Sequence, residues 1–244
     1  MFLAIILIAV ALVALASLYV LRGDTWLRHW GAGRGEISSP LPGDELVPQA
    51  LGTSTRAIDI DAPIDAVFPW LVQMGQGRGG FYSYDALENV LGVDVHSADH
   101  IVPEWQALHR GDVTALSPVG SRPMRVMSCE EGRHIVLRTT DLRSGGPISA
   151  GNFFREEIDG TWLFFVRPLG PRRTRLVVRW RAAWRPSLPA SLVYRFVYEP
   201  IHFLMERKML LGIRQRAEAL PGTTPSVVYF PLVPPRGATL VPWM

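Results

Sequence analysis

From Phe2 to Leu21 the chain runs FLAIILIAVALVALASLYVL, twenty residues without a charge and with only Ser17 and Tyr19 as polar interruptions. At 1.5 Å per residue a helix of that length covers about 30 Å, the thickness of a bilayer's hydrocarbon core. Hydrocarbon offers the backbone no hydrogen-bond partners, so such a segment is helical if inserted. A buried core helix would normally keep one polar face, and this one has none. The alternatives are an uncleaved anchor and a secretory signal. The missing basic opening and the length of the run favour the anchor, although Ala14-Leu15-Ala16 has the small-x-small form of a cleavage site. The first charges, Arg22, Asp24, Arg28 and Arg34, follow the run, so the positive-inside rule places the rest of the chain in the cytoplasm. Trp26 and Trp30 then suit an interfacial aromatic belt.

The remainder is long enough for one domain with a sizeable core. Its expected divisions are an anchor at 1–22, a linker at 23–52, a domain at 53–222 and a Pro-rich tail at 223–244. A charged fraction of 19% is that of an ordinary globular chain, not a disordered one. The net charge of +3 is too small for a nucleic-acid partner, which calls for a dense basic stripe, but suits anionic lipid headgroups. Cys129 is the sole cysteine, which excludes an intrachain disulfide and a cysteine metal cluster.

Periodicity gives the element order. Gly31, Gly33, Gly35, Pro40, Pro42, Gly43 and Pro48 punctuate 22–51 too often for a long element. Ile58 and Ile60 alternate with Asp59 and Asp61 in a strand, and Val67, Leu71 and Met74 repeat as in a helix over 64–74, with Pro69 placed near its first turn. A glycine-rich turn at 75–80 leads to a second short helix at about 84–91. Strands are then expected at 113–116, 124–129, 134–139, 153–158, 161–168 and 173–184. In the last, Thr174, Leu176, Val178, Trp180, Ala182 and Trp184 share one parity. Arg173, Arg175, Arg179, Arg181 and Arg185 share the other. One face is therefore apolar and the other rich in guanidinium, either solvated or applied to a membrane surface. A long amphipathic segment, 188–220, ends the domain. Leu192, Phe196, Ile201, Leu204, Met205, Ile213 and Ala217 suggest its apolar stripe, and Glu199-Pro200 a kink.

Strand, two short helices, an antiparallel run and one long C-terminal helix form an α+β order that resembles the helix-grip fold of the START-like superfamily. The stretches PGDELVP (42–48), TRAIDIDAP (55–63), WLVQMGQGRGGFYSYDALENVLG (70–92), SADHIVPEWQ (97–106), TRLVVRWR and MERKML resemble bacterial SRPBCC proteins of unassigned function. The resemblance spans about residues 40–220. It implies an antiparallel sheet wrapped around the last helix and a cavity for a hydrophobic ligand, and implies no reaction.

Gly75-Gln76-Gly77-Arg78-Gly79-Gly80 has the letters of a dinucleotide fingerprint, but a helix precedes it and no βαβ unit follows, so it reads as a backbone turn requiring positive φ. Phe81, Tyr82 and Tyr84 after it form either a ligand gate with Arg78 at its rim, or a capped helix packed on the sheet with Arg78 in a structural ion pair. His96, His100 and Glu104 are spaced i, i+4, i+8, but Pro103 argues against the helix that would align them on a metal. No G-x-S-x-G motif occurs and no residue is assigned to catalysis. Trp70, Met74, Trp105, Trp162, Phe164, Trp180, His202 and Met205 complete the candidate ligand lining, with plain core packing as the competing reading. No metal or cofactor is expected, and the sequence names no protein partner. The expectation is a membrane-anchored domain that carries or senses a hydrophobic small molecule or lipid. Its rivals are a cyclase or dehydratase using His100 or Glu104, and an interaction module at the membrane.

Overall fold

The computed structural model describes residues 19–84, 96–114, 123–141, 144, 146–155 and 157–219. The expected anchor, apart from residues 19–22, lies outside these residues, as do the helix expected at 84–91 beyond Tyr84 and the tail. Among the described residues no helix is long and apolar enough to cross a membrane.

Six strands form one antiparallel sheet: β1 (Gly52–Ile60), β2 (Val113–Thr114), β3 (Met124–Glu130), β4 (His134–Thr139), β5 (Asp159–Gly170) and β6 (Arg173–Ala183). Their spatial order is β1-β6-β5-β4-β3-β2, so the first strand closes against the last. Before β1 come short helices α1 (Asp24–Arg28) and α2 (Arg34–Ser38). After it comes α3 (Ile64–Val72), and the chain ends in α4 (Leu188–Val193), a π-helical turn (Tyr194–Tyr198) and α5 (Glu199–Glu218). The fold is α+β and helix-grip-like: the sheet packs on one long C-terminal helix.

The period-two pattern of β6 separates the two faces of the sheet. Leu176, Val178, Trp180 and Ala182 are buried with Ile58, Ile60, Phe164 and Val166, their antiparallel neighbours on the inner face. The outer face departs in part from the expectation: Arg173 and Arg185 at its ends are exposed, but Arg175, Arg179 and Arg181 between them are neither solvated nor free to meet a membrane. The connector lies over them. Arg175 donates to both carboxylate oxygens of Glu36, to Asp59 and to the Gly31 carbonyl. Arg179, only 3% exposed, donates to Asp44, to Thr55 Oγ1 and to the carbonyls of Glu36, Ile37 and Ser39. Arg181 bonds the carbonyls of Val47 and Pro48. A punctuated segment satisfies few of its own backbone groups, and the guanidinium forks supply the missing donors.

The connector's approach is close. At Gly31 (φ 73°) an added Cβ would lie 2.0 Å from the Ala57 carbonyl oxygen, so only glycine fits. Arg175's hydrogen bonds, opposed by burial, hold the Glu36 carboxyl down at about 2, below its ordinary 4.5. A carboxyl depressed by folding stabilises above its unfolded value and loses that contribution as pH falls through its folded one. Stability should therefore decline between pH 4.5 and about 2. Glu36→Gln should cost about 2 kcal/mol at pH 7 and flatten that decline, read as urea midpoints across pH.

Three further elements differ from the sequence expectation. The strand expected at 153–158 is a 3₁₀ turn at Phe153–Arg155. Asn152 accepts from Phe154 N–H, and Glu157 accepts from Gly151 and Asn152, so the backbone is satisfied locally rather than by a ladder. Pro69 stands at the sixth position of α3, past the first turn. In the closing segment, Leu192, Phe196, Ile201 and Leu204 face outward, while Tyr194, Phe203, Glu206, Met209, Leu210, Ile213 and Ala217 are buried. The π turn adds a residue just before Pro200, whose missing N–H makes a regular i→i−4 ladder impossible there.

Candidate functional site

Where α5 begins, a charged cluster lies between helix and sheet. Arg56 shares its strand parity with Ile58 and Ile60 and so points inward, where it is fully buried. Glu199, His202 and Glu206 stand at i, i+3 and i+7 on the helix, which aligns them on one face. Arg56 Nη2 donates to Glu199 Oε1 at 2.5 Å, Nη1 to Glu206 Oε2 at 2.5 Å, and Nε to the Leu27 carbonyl at 2.7 Å. Trp162 Nε1 donates to the other Glu206 oxygen at 2.8 Å.

His202 Nδ1 lies 3.2 Å from Arg56 Nη1. A guanidinium only donates, so Nδ1 must be the accepting nitrogen. Burial, reinforced by the positive charge of Arg56, pushes the imidazole below its ordinary 6.5, against the pull of both carboxylates. Burial alone would raise Glu206, but Arg56, His202 and the hydrogen bonds outweigh it and leave the carboxyl below its usual value. The ring of His202 stacks on Tyr198, which stacks on Tyr194, which stacks on Trp184, at centroid spacings of 5.6, 5.0 and 4.5 Å. This column occupies the groove between sheet and helix. Trp162 and Trp180 close its other side, 6.0 and 5.7 Å from the imidazole.

Farther along the sheet lies an apolar cleft lined by Leu71, Met74, Leu108, Ile135, Leu137 and Phe164, with Thr114 at its edge. Its void is about 10 Å³, room for a single water. Thr114 Oγ1 is buried there without a hydrogen-bond partner among the described residues, the one polar atom of the lining left uncommitted.

The glycine-rich turn is a structural device. Gly75, Gly77 and Gly80 have positive φ, and Gly75 and Gly80 bridge to each other. Tyr82 itself sits at φ 56°, a left-handed conformation uncommon outside glycine. Its hydroxyl donates to the Trp70 carbonyl at 3.1 Å, its ring meets Trp70 edge-on, and Arg216 lies over the ring. Burial raises its hydroxyl above the ordinary 10. Gly212 of α5 packs so closely that an added Cβ would lie 2.3 Å from the Tyr82 carbonyl oxygen. Gly212→Ala should therefore lower stability by about 1–3 kcal/mol despite alanine's better helix propensity, measured as a fall in Tm.

The twelve candidate lining residues are thus distributed over several places. Met74 and Phe164 line the cleft, whereas Trp162, Trp180 and His202 surround the charged cluster. Trp70, Phe81 and Tyr82 are buried in the turn's own packing. Arg78 donates to the carbonyls of Trp105 and Ala107, clasping the 105–107 segment. Fully buried Gln73 ties the same stretch, bonding the His100 carbonyl, Val102 N–H and Gln106. Tyr84 and Met205 lie at the edge, where Lys208 stands over the tyrosine ring and Ser83 Oγ donates to the Met205 carbonyl. His100 is an exposed partner of Asp99, remote from the interior. No group of His, Cys, Asp or Glu among the described residues is arranged to hold a metal.

The sequence reading missed Leu71, Leu108, Thr114, Ile135 and Leu137, which mark no motif. It also missed Arg56, Glu199 and Glu206 as a unit. Arg56 carried a signal, a charge on the apolar parity of its strand, as did the i, i+3, i+7 spacing of three titratable groups.

No protein-family model matches the chain, and no curated protein matches it in sequence. Its fold is helix-grip-like, and the solved structures similar to it include both bacterial proteins without a described function and two with polyketide-cyclase-type descriptions. A hypothetical protein of Helicobacter pylori is 11% identical, with 74% of this chain and 96% of that one covered at a TM-score of 0.45. The Polyketide_cyc-like protein of Corynebacterium glutamicum is 18% identical, with 70% and 90% covered at 0.28. The di-domain ARO/CYC protein of the steffimycin biosynthetic pathway is 14% identical, with 72% and 53% covered at 0.40.

Proposed function

We propose that this chain binds a hydrophobic small molecule or lipid in its helix-grip, held at a membrane by the apolar run at 2–21. The observation that carries the reading is the cleft of six apolar side chains with the single uncommitted hydroxyl of Thr114. An apolar wall with one free polar atom suits a ligand that is mostly hydrocarbon and has one group to orient. The void as it stands admits only water, so the ligand enters by displacing Leu108 and its neighbours. That stretch has one 3₁₀ turn as its regular structure and is tied by side chains rather than by a ladder. In the charged cluster Arg56 and Trp162 engage both oxygens of Glu206, one oxygen of Glu199 and His202 Nδ1.

The test is uptake of a fluorescent fatty-acid analogue by the purified full chain, with mass spectrometry of copurifying lipids. Leu137→Trp should plug the cleft and abolish uptake, while Leu108→Ala should increase it. Thr114→Val removes a hydroxyl without a partner among the described residues and should leave Tm unchanged while weakening binding about 5-fold, the worth of one hydrogen bond. Uptake indifferent to all three variants would place any ligand elsewhere.

A further inference from the structure

The outward stripe of the closing helical segment is an exposed apolar face without a free charge. Leu188, Leu192, Phe196, Val197, Ile201 and Leu204 are exposed to between 39% (Phe196) and 73% (Leu188). The five-residue step from Leu192 to Val197 spans the π turn, whose extra residue keeps the stripe in line. Between Pro186 and Met205 the only charged residues are Arg195 and Glu199. Arg195 pairs with Asp24, and Glu199 is buried on Arg56. A contiguous apolar face of this kind marks a surface meant to be covered.

What covers it follows from where the chain's apolar run ends. Tyr19, near the end of that run, lays its ring 5.4 Å from Phe196 and donates its hydroxyl to the Arg195 carbonyl at 2.7 Å. The run therefore reaches the domain at the middle of the exposed stripe. Trp26, 57% exposed and edge-on to Phe203, stands beside it. Arg185 on one side and Arg207 and Lys208 on the other flank the stripe in sequence, Arg22 follows the apolar run, and no acidic residue is exposed within the stripe. An apolar face with an exposed indole beside it and basic residues at its ends has the chemistry of a helix lying in the headgroup region of an anionic bilayer.

We propose that the face from Leu188 to Leu204 lies in the lipid interface, so that the domain rests on the membrane along its last helical segment rather than hanging from a tether. The arginine face of β6, already covered by the connector, then points away from lipid. The inference rests on the membrane reading of the apolar run, and the experiment separates the two.

Full-length chain with Cys129→Ser and one new cysteine is labelled with bimane and reconstituted in phosphatidylcholine–phosphatidylglycerol vesicles containing doxyl-labelled lipid. The label is placed by Leu192→Cys or Ile201→Cys, with Arg172→Cys in the β5–β6 turn as the water-facing control. Doxyl lipid should quench the labels at 192 and 201 about two-fold or more and leave 172 unchanged, while aqueous iodide should do the reverse. Chain that floats with the vesicles but leaves 192 and 201 open to iodide overturns the docking face and spares the anchor. Labels shielded from both quenchers mean that protein covers the stripe, either a second copy or another part of this chain, and overturn the proposal. Chain that does not float overturns both.

Discussion

Arg56→Met is expected to cost about 3–5 kcal/mol, the loss typical when one partner of a buried ion pair is removed. The change leaves Glu199 and Glu206 buried side by side on one helix face without their cation, with Trp162 as the remaining donor to Glu206. The midpoint of guanidinium denaturation should fall accordingly. A triple variant that also carries Glu199→Gln and Glu206→Gln should recover much of the loss, because it removes the unpaired charges along with their partner. If the single and triple variants were equally unstable, packing of the arginine stem, rather than charge, would hold the helix on the sheet.

The same cluster sets a pH response of definite sign. His202 is held below its ordinary 6.5 in the folded chain, so as pH falls through 6.5 the unfolded chain takes up a proton that the folded one refuses. Stability therefore falls with acid in that range, and protonation also removes the acceptor for Arg56. Glu206, depressed below 4.5, adds a second loss at lower pH. His202→Phe should keep the ring column and shrink the higher-pH limb of the decline, leaving the part due to His29 and His134, which burial also holds below 6.5, read as Tm between pH 7.5 and 5.

Removing the connector should have the other large effect. A chain lacking residues 1–48 is expected not to fold, whereas one lacking only 1–18 should keep its fold. The longer deletion strips Arg175 of Glu36 and the Gly31 carbonyl, Arg179 of every acceptor but Thr55 Oγ1, and Arg181 of the Val47 and Pro48 carbonyls, and takes away the Leu27 carbonyl that Arg56 Nε uses inside. Arg179→Ala alone should cost about 3 kcal/mol, since its five acceptors are left with a void in place of a buried donor. Circular dichroism of the two truncations and urea melts of the point variant measure both. A folded, stable chain beginning after residue 48 would show that the connector is a passenger.

Side-chain period is a local property, and what depends on it was legible in the residues alone. The alternation from Thr174 to Trp184 separates an inner from an outer face, and the long closing segment and the positive-φ glycines of the 75–80 turn stand as the sequence indicates. Which residues meet depends on the tertiary fold. Arg56 finds Glu199 and Glu206 across separations of 143 and 150 residues, and neither carboxylate carries a local mark of its partner. The β6 arginines show the same limit: period two gives them a common face, but whether water, lipid or protein covers that face depends on where the connector folds. On the closing helix, helical periodicity offers two apolar stripes, one through Leu192 and Ile201, the other through Phe203, Leu210 and Ile213. Only docking against the sheet, with a charged cluster and a column of rings already filling the groove, decided which stripe turned inward.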